Sequence, residues 1–165
     1  MIKLLRIDER LIHGQVVTYW IKYTKSDTII VLNDKAATDS MLKMSLKLGK
    51  PAGVKLEILT LKDGISYINN PSNKKKKMFL IVGNCKDALK VAKNSPEISD
   101  INIGGVHYEE GRVPITNQVF LGEEDLNALY EIKAKGKNIF LQSIPNVTKM
   151  SLEEIHEMYN RNKNS

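Results

Sequence analysis

Two kinds of apolar block alternate along the chain. Residues 2–7, 28–32, 54–59, 78–82, 101–103, 119–121 and 139–141 are short runs of β-branched and other apolar side chains. The runs without apolar–polar alternation, such as 28–32, predict strands covered on both faces, as in a parallel sheet. Between them the period becomes helical. Val16, Val17, Trp20 and Ile21 share one face of a helix over 15–24. Ala37, Met41, Met44 and Leu48 recur at i, i+4, i+7 and i+11, which predicts a helix with that stripe inward, ended by Gly49 and Pro51. A short helix over 62–69 is closed by Asn70-Pro71, and one over 86–93 turns Ala88, Leu89 and Ala92 inward. Glu123, Glu124 and Asp125 open a helix that Lys133, Lys135 and Gly136 close, a charge order that suits the helix dipole. Ser151 and Glu154 form a capping box before a terminal helix with Leu152, Ile155 and Tyr159 on one face. Residues 160–165 read as a frayed polar tail.

Strand and helix alternate throughout. The pattern predicts one doubly wound α/β domain over residues 1–165, an open and mostly parallel sheet of about six or seven strands with helices on both faces. In such sheets ligands gather beyond the carboxyl ends of the strands. The first of those ends is the loop Asp8, Glu9, Arg10, Leu11, Ile12, His13, Gly14. It gathers an imidazole, a guanidinium and two carboxylates.

Composition narrows the setting. A 42% hydrophobic and 27% charged content is that of an ordinary globular protein. No apolar run approaches the ~20 residues that span a bilayer, and the apolar block at the N-terminus is too short for a signal peptide. The single cysteine, Cys85, excludes an internal disulfide and offers no metal spacing. The three histidines are spread too widely for a zinc set, so no metal and no organic cofactor is expected. The cytoplasm is the expected compartment. The net charge of +6 owes much to Lys74, Lys75, Lys76 and Lys77, read as a solvated loop before a strand. With 6% aromatics and no motif interleaving them with the basic residues, nucleic acid is not an expected partner.

The loop has the parts that a phosphoryl-carrying histidine needs. His13 would be the nucleophile, with one ring nitrogen free. Arg10 supplies a planar fork of N–H donors for the phosphate. The amides around Ile12, Gly14 and Gln15 lie at a helix N-terminus, a natural anion seat. Gly14 gives clearance for a donor molecule. Asp8 can orient either Arg10 or the imidazole. The same parts would serve a general acid–base histidine or one that only binds phosphate.

Residues 6–16, Arg-Ile-Asp-Glu-Arg-Leu-Ile-His-Gly-Gln-Val, resemble the signature of IIB components of the mannose/fructose/sorbose class of the bacterial phosphoenolpyruvate sugar phosphotransferase system. The family pattern, R-[IV]-D-x-R-L-I-H-G-Q-V, is met throughout. Further resemblance lies in Ile29-Ile30-Val31 with Asn33-Asp34, in Tyr67-Ile68-Asn69-Asn70-Pro71 and in Asn102-Ile103-Gly104-Gly105, so it extends over the whole chain. The resemblance implies that His13 accepts a phosphoryl group, generally on Nδ1, from a phosphohistidine of the IIA component. His13 then passes it to a sugar bound by the membrane components IIC and IID. It implies that Arg10 contacts the phosphate and that Asp8 supports Arg10. It also implies a doubly wound fold with the histidine loop at a topological switch point. The chain begins directly at the IIB region, so the donor is expected to be another polypeptide.

Strand-end logic adds Asn33, Asp34, Gly83, Asn84, Gly104 and His107 as expected neighbours of the loop. His156 reads as part of a solvated face, Trp20 as packing behind the loop, and Cys85 as a buried small residue. Two rival readings stay open on the residues alone: a histidine phosphotransferase or phosphatase acting on small molecules, and a basic nucleic-acid-binding module.

Overall fold

The computed structural model describes residues 1–165. In chain order the elements are β1 (Ile2–Asp8), α1 (Gly14–Thr24), β2 (Thr28–Leu32), α2 (Asp34–Thr38), α3 (Ser40–Leu48), β3 (Lys55–Leu59), α4 (Leu61–Asn69), β4 (Met78–Val82), α5 (Cys85–Lys93), β5 (Asp100–Gly105), β6 (Val113–Pro114), β7 (Phe120–Leu121), α6 (Glu123–Ala134), β8 (Asn138–Leu141), β9 (Met150–Ser151) and α7 (Leu152–Lys163). Seven strands form one sheet in the order β3-β2-β4-β1-β5-β8-β9. All neighbours are parallel except the edge strand β9. Every residue of β2 and β4 is buried, as their unbroken apolar runs require.

The strands alternate their side chains between two cores. Leu4, Ile29, Val31, Phe79 and Ile81 pack with Val17 and Trp20 of α1, Ala36 of α2 and Leu46 of α3. Leu5, Ile7, Ile30, Leu80 and Val82 pack on the other face with residues of α4, α5, α6 and α7. Helix α1 thus leaves β1 on one face, while α5 and α6 leave its neighbours β4 and β5 on the other. That reversal makes the carboxyl end of β1 a topological switch point.

Several details differ from the sequence expectation. The single helix with Ala37, Met41, Met44 and Leu48 inward is two helices, broken at Asp39. Asp39 closes α2 and caps α3, its Oδ1 accepting from the amides of Met41 at 3.0 Å and Leu42 at 3.1 Å. The break changes the helical phase, so Met41, Met44 and Leu48 face outward, 83%, 65% and 83% exposed, and Leu46 takes the core position. Of residues 119–121, Phe120 and Leu121 form β7, which pairs antiparallel with β6 in a separate hairpin, while Val119 makes only an isolated parallel bridge to Val106 just beyond β5. The strand β9, too short to leave an apolar run, lies outside the predicted set. The tail is not frayed from residue 160: α7 continues to Lys163, and Asn162 Nδ2 donates to the Pro114 carbonyl. His156 is not simply solvated, since its Nδ1 lies 2.8 Å from the Tyr130 hydroxyl.

The lysine run precedes β4, at the amino ends of the strands. The N-terminal amine donates to the Lys74 and Lys76 carbonyls there, and Lys76 Nζ donates to the Tyr67 hydroxyl and Asn73 Oδ1. The switch point lies at the opposite end of the sheet.

Candidate active site

His13 is the N-cap residue of α1, exposed, with no hydrogen bond from its side chain to the helix. A turn closed by the Leu11 amide on the Asp8 carbonyl, at 2.9 Å, brings the chain from β1 to that cap. Leu11 takes the left-handed conformation, φ +61°, and Gly14 does so at φ +49°. For leucine that conformation costs roughly 1–2 kcal/mol. The buried Leu11 side chain anchors it in the core beneath the loop. The amides of Gly14 and Gln15 open α1 and have no earlier helical carbonyl to reach. Neither they nor the amides of Ile12 and His13 donate within the protein. Four consecutive N–H groups beside the imidazole, at a helix N-terminus, are thus without partners in the protein.

Asp8 does not orient the imidazole. Its Oδ1 accepts from the Arg10 amide at 3.0 Å and Arg10 Nε at 2.9 Å, and its Oδ2 from Arg10 Nη2 at 2.9 Å. This bidentate pair is one edge of the Arg10 fork, leaving Nη1 free. The hydrogen bond to Asp8 raises the Arg10 pKa further, against the smaller effect of burial. Asp8 Oδ2 also accepts from Arg6 Nη2 at 3.1 Å. Arg6 is wholly buried, and burial lowers its pKa while Asp8 opposes that shift. Asp8 is therefore held by two guanidinium groups, one from inside the sheet and one from the loop.

The expected rim is placed in varied ways. Gly105 lies directly under this cluster: a Cβ there would come 2.9 Å from Asp8 Oδ1 and 3.1 Å from Arg10 Nη2. Gly104 lies against the Arg6 guanidinium. Gly83 faces Asn33 Nδ2 and the Leu11 side chain, so the ends of β2 and β4 meet the loop there. The Asn33 and Asn84 carbonyl oxygens cap α2 and α5, and Asp34 Oδ1 accepts from the Leu61 amide, so these side chains serve local structure. His107 reaches the loop through Glu9, with Nδ1 2.7 Å from Glu9 Oε2. Arg112 flanks Glu9 at 3.6 Å and meets Asp125 at 3.3 Å. Cys85 is buried and burial pushes its thiol pKa up, which leaves it inert as a nucleophile.

A sequence profile described as the sorbose subfamily IIB component of the phosphotransferase system matches residues 2–165. The chain belongs to the sorbose-subfamily IIB family. It is 33% identical over 161 residues to a probable phosphotransferase enzyme IIB component of Streptococcus pyogenes, covering 94% of this chain and 99% of the relative. It is 30% identical over 155 residues to the mannose-specific EIIAB component of Escherichia coli K12, covering 94% of this chain and 48% of that longer protein. The crystal structure of the IIB domain of the sorbose permease from Klebsiella pneumoniae superposes with a TM-score of 0.90 at 30% identity, covering 95% of this chain and 97% of that one.

This IIB chain is thus a phosphotransferase subunit of a sugar-transporting system. That reading displaces the small-molecule phosphatase and the nucleic-acid module. Arg6 is the site residue absent from the expected set. Its signal was present, an arginine inside an otherwise apolar strand run. Asn102 also stands inside an apolar strand run, but Gln142 holds the guanidinium through its backbone carbonyl, which leaves no residue signal, and nothing along the chain says that the ends of β5 and β8 meet Arg6.

Proposed function

We propose that His13 carries the phosphoryl group of this IIB component. It accepts the group from a phosphohistidine of a IIA protein, with Nδ1 as the acceptor atom, and delivers it to a sugar held by membrane components IIC and IID. The observation that carries this reading is the exposed His13 imidazole at the N-cap of α1, beside four unpartnered amides and the Arg10 fork.

Transfer between two imidazoles exchanges one N–P bond for another of the same type, so the protein's task is placement and charge stabilisation. The loop amides and Arg10 Nη1 serve the equatorial oxygens of the transferring group. The mannose EIIAB relative, whose name joins the A and B components in one chain, supports a IIA protein as the donor. No helix is long and apolar enough to cross a membrane, which fits a chain working in the cytoplasm against membrane-embedded partners.

The test is phosphoenolpyruvate with enzyme I, HPr and a mannose-class IIA protein. The intact chain should gain one acid-labile phosphate, and His13→Ala should gain none. An unlabelled wild-type chain would overturn the reading.

A further inference from the structure

We propose that Arg6 is a positioning residue for phosphoryl transfer: from behind Asp8 it fixes the carboxylate that holds Arg10, and it leaves the cluster with one net positive charge facing the phosphoryl group. The proposal rests on the reading of His13 as the acceptor.

The geometry gives Arg6 one direction in which to act. Its Nη1 donates to Asn102 Oδ1 and to the Gln142 carbonyl at 3.3 Å, and its Nη2 to Asp8 Oδ2 at 3.1 Å. Asn102 Nδ2 donates to that same carbonyl at 3.0 Å, which ties the holder down in turn. The guanidinium carbon lies 5.5 Å from the centre of the Trp20 ring. On the other side it occupies space that any residue but glycine at position 104 would fill, since a Cβ there would fall 2.1 Å from Arg6 Cζ. The β1–β5 ladder has an irregularity at the same place. Ile7 pairs with Ile103 and Asp8 with Gly105, so Gly104 has no partner across the ladder. Such an irregularity re-aims the side chains beside it.

Packing does not account for an arginine here. Leu4, two residues back on the same face of β1, shows what that face accepts, and Arg6 Nε is buried without a hydrogen-bond partner. Apolar replacement of buried ion pairs is often neutral or stabilising. Charge does account for it. Asp8 and Arg10 alone would be a neutral pair, with the field of Arg10 largely cancelled at the incoming phosphate. With Arg6 behind it, Asp8 is already neutralised, and the positive charge of Arg10 is available to the transferring oxygens. Four contacts on the two Asp8 oxygens also leave the carboxylate no alternative rotamer through which Arg10 could drift.

The experiment compares full-length wild type, Arg6→Met, Arg6→Lys, Asn102→Ala and His13→Ala in rapid-quench transfer from phosphorylated IIA protein. Thermal melts and the NMR signal of the Arg10 Nε–H accompany it. Arg6→Met should lower kcat by about tenfold or more with KM for the IIA protein little changed. Its Arg10 Nε–H signal should move to that of a free, exchanging side chain. Arg6→Lys, which restores the charge without the fork, should recover part of the rate, and Asn102→Ala should fall between. A folded Arg6→Met with wild-type kcat overturns the proposal. So does a rate that falls only in step with melting temperature while the Arg10 signal stays in place. If Arg6→Met does not fold, the Lys and Asn102→Ala variants decide on the same criteria. Labelling of His13→Ala, by contrast, overturns the acceptor reading itself and the proposal with it.

Discussion

Gly105 lies so close beneath Asp8 that a methyl group on it would sit 2.9 Å from the Asp8 Oδ1 atom. The contact is with a carboxylate already committed to two guanidinium groups, so the carboxylate cannot yield without moving Arg10. Gly105→Ala should therefore lose function more than stability. Overpacking of this kind costs roughly 1–3 kcal/mol, while displacement of Arg10 should slow transfer about tenfold or more. Melting curves and rapid-quench transfer from phospho-IIA, run on one preparation, check the pair. A wild-type rate would mean that the carboxylate position does not matter.

The side-chain hydrogen bonds of Arg10 all go to Asp8. Arg10→Ala should remain folded and transfer roughly 100-fold more slowly, the size of effect seen when one donor to a developing charge is removed. Steady-state kinetics with a mannose-class IIA protein measure this, and an unchanged kcat would remove Arg10 from the chemistry.

The break at Asp39 separates capping from packing. Asp39→Ala removes the acceptor for two α3 amides and should cost about 1 kcal/mol, with transfer unaffected. Met41→Ser should be near neutral, because Met41 is 83% exposed, whereas Leu46→Ala should cost about 2–5 kcal/mol. Urea unfolding midpoints rank the three. Equal losses at Met41 and Leu46 would contradict the helical phase.

Asp87 gives a pH signature. Burial, and then the charge of Asp34, push its carboxyl above the usual range despite the Asn84 hydrogen bond. The folded chain therefore binds this proton more tightly than the unfolded chain. The ionised form detracts from stability as pH rises past the unfolded aspartate value, fully so once pH exceeds the raised folded one. Asp87→Asn should raise Tm at pH 7 and give no gain at about pH 3, where both states are protonated. A gain of equal size at both values would rule out charge as the cause.

The doubly wound architecture and the position of His13 follow from local information. Unbroken apolar runs such as Ile29 to Leu32 demand cover on both faces, and a strand end followed by a helix start makes a loop at the carboxyl edge whatever the rest of the chain does. Residues 6–16 are contiguous, so their likeness to the sorbose-class signature needed no folding to be seen.

Tertiary structure decided whatever depends on distance between segments or on helical phase. The stripe of Met41, Met44 and Leu48 has the right spacing for a core face, and only the cap at Asp39 rotates it into solvent. Whether Asp8 would hold the imidazole or Arg10 was open in the sequence. Arg6, Asn102 and Gln142 settle it by meeting behind β1, where the ladder irregularity opposite Gly104 leaves room for a guanidinium. The physical reason is general: hydrophobic period and turn chemistry act between near neighbours and can be read along the chain, whereas a buried charge is placed by partners from several strands, and the sequence does not state which strands lie side by side.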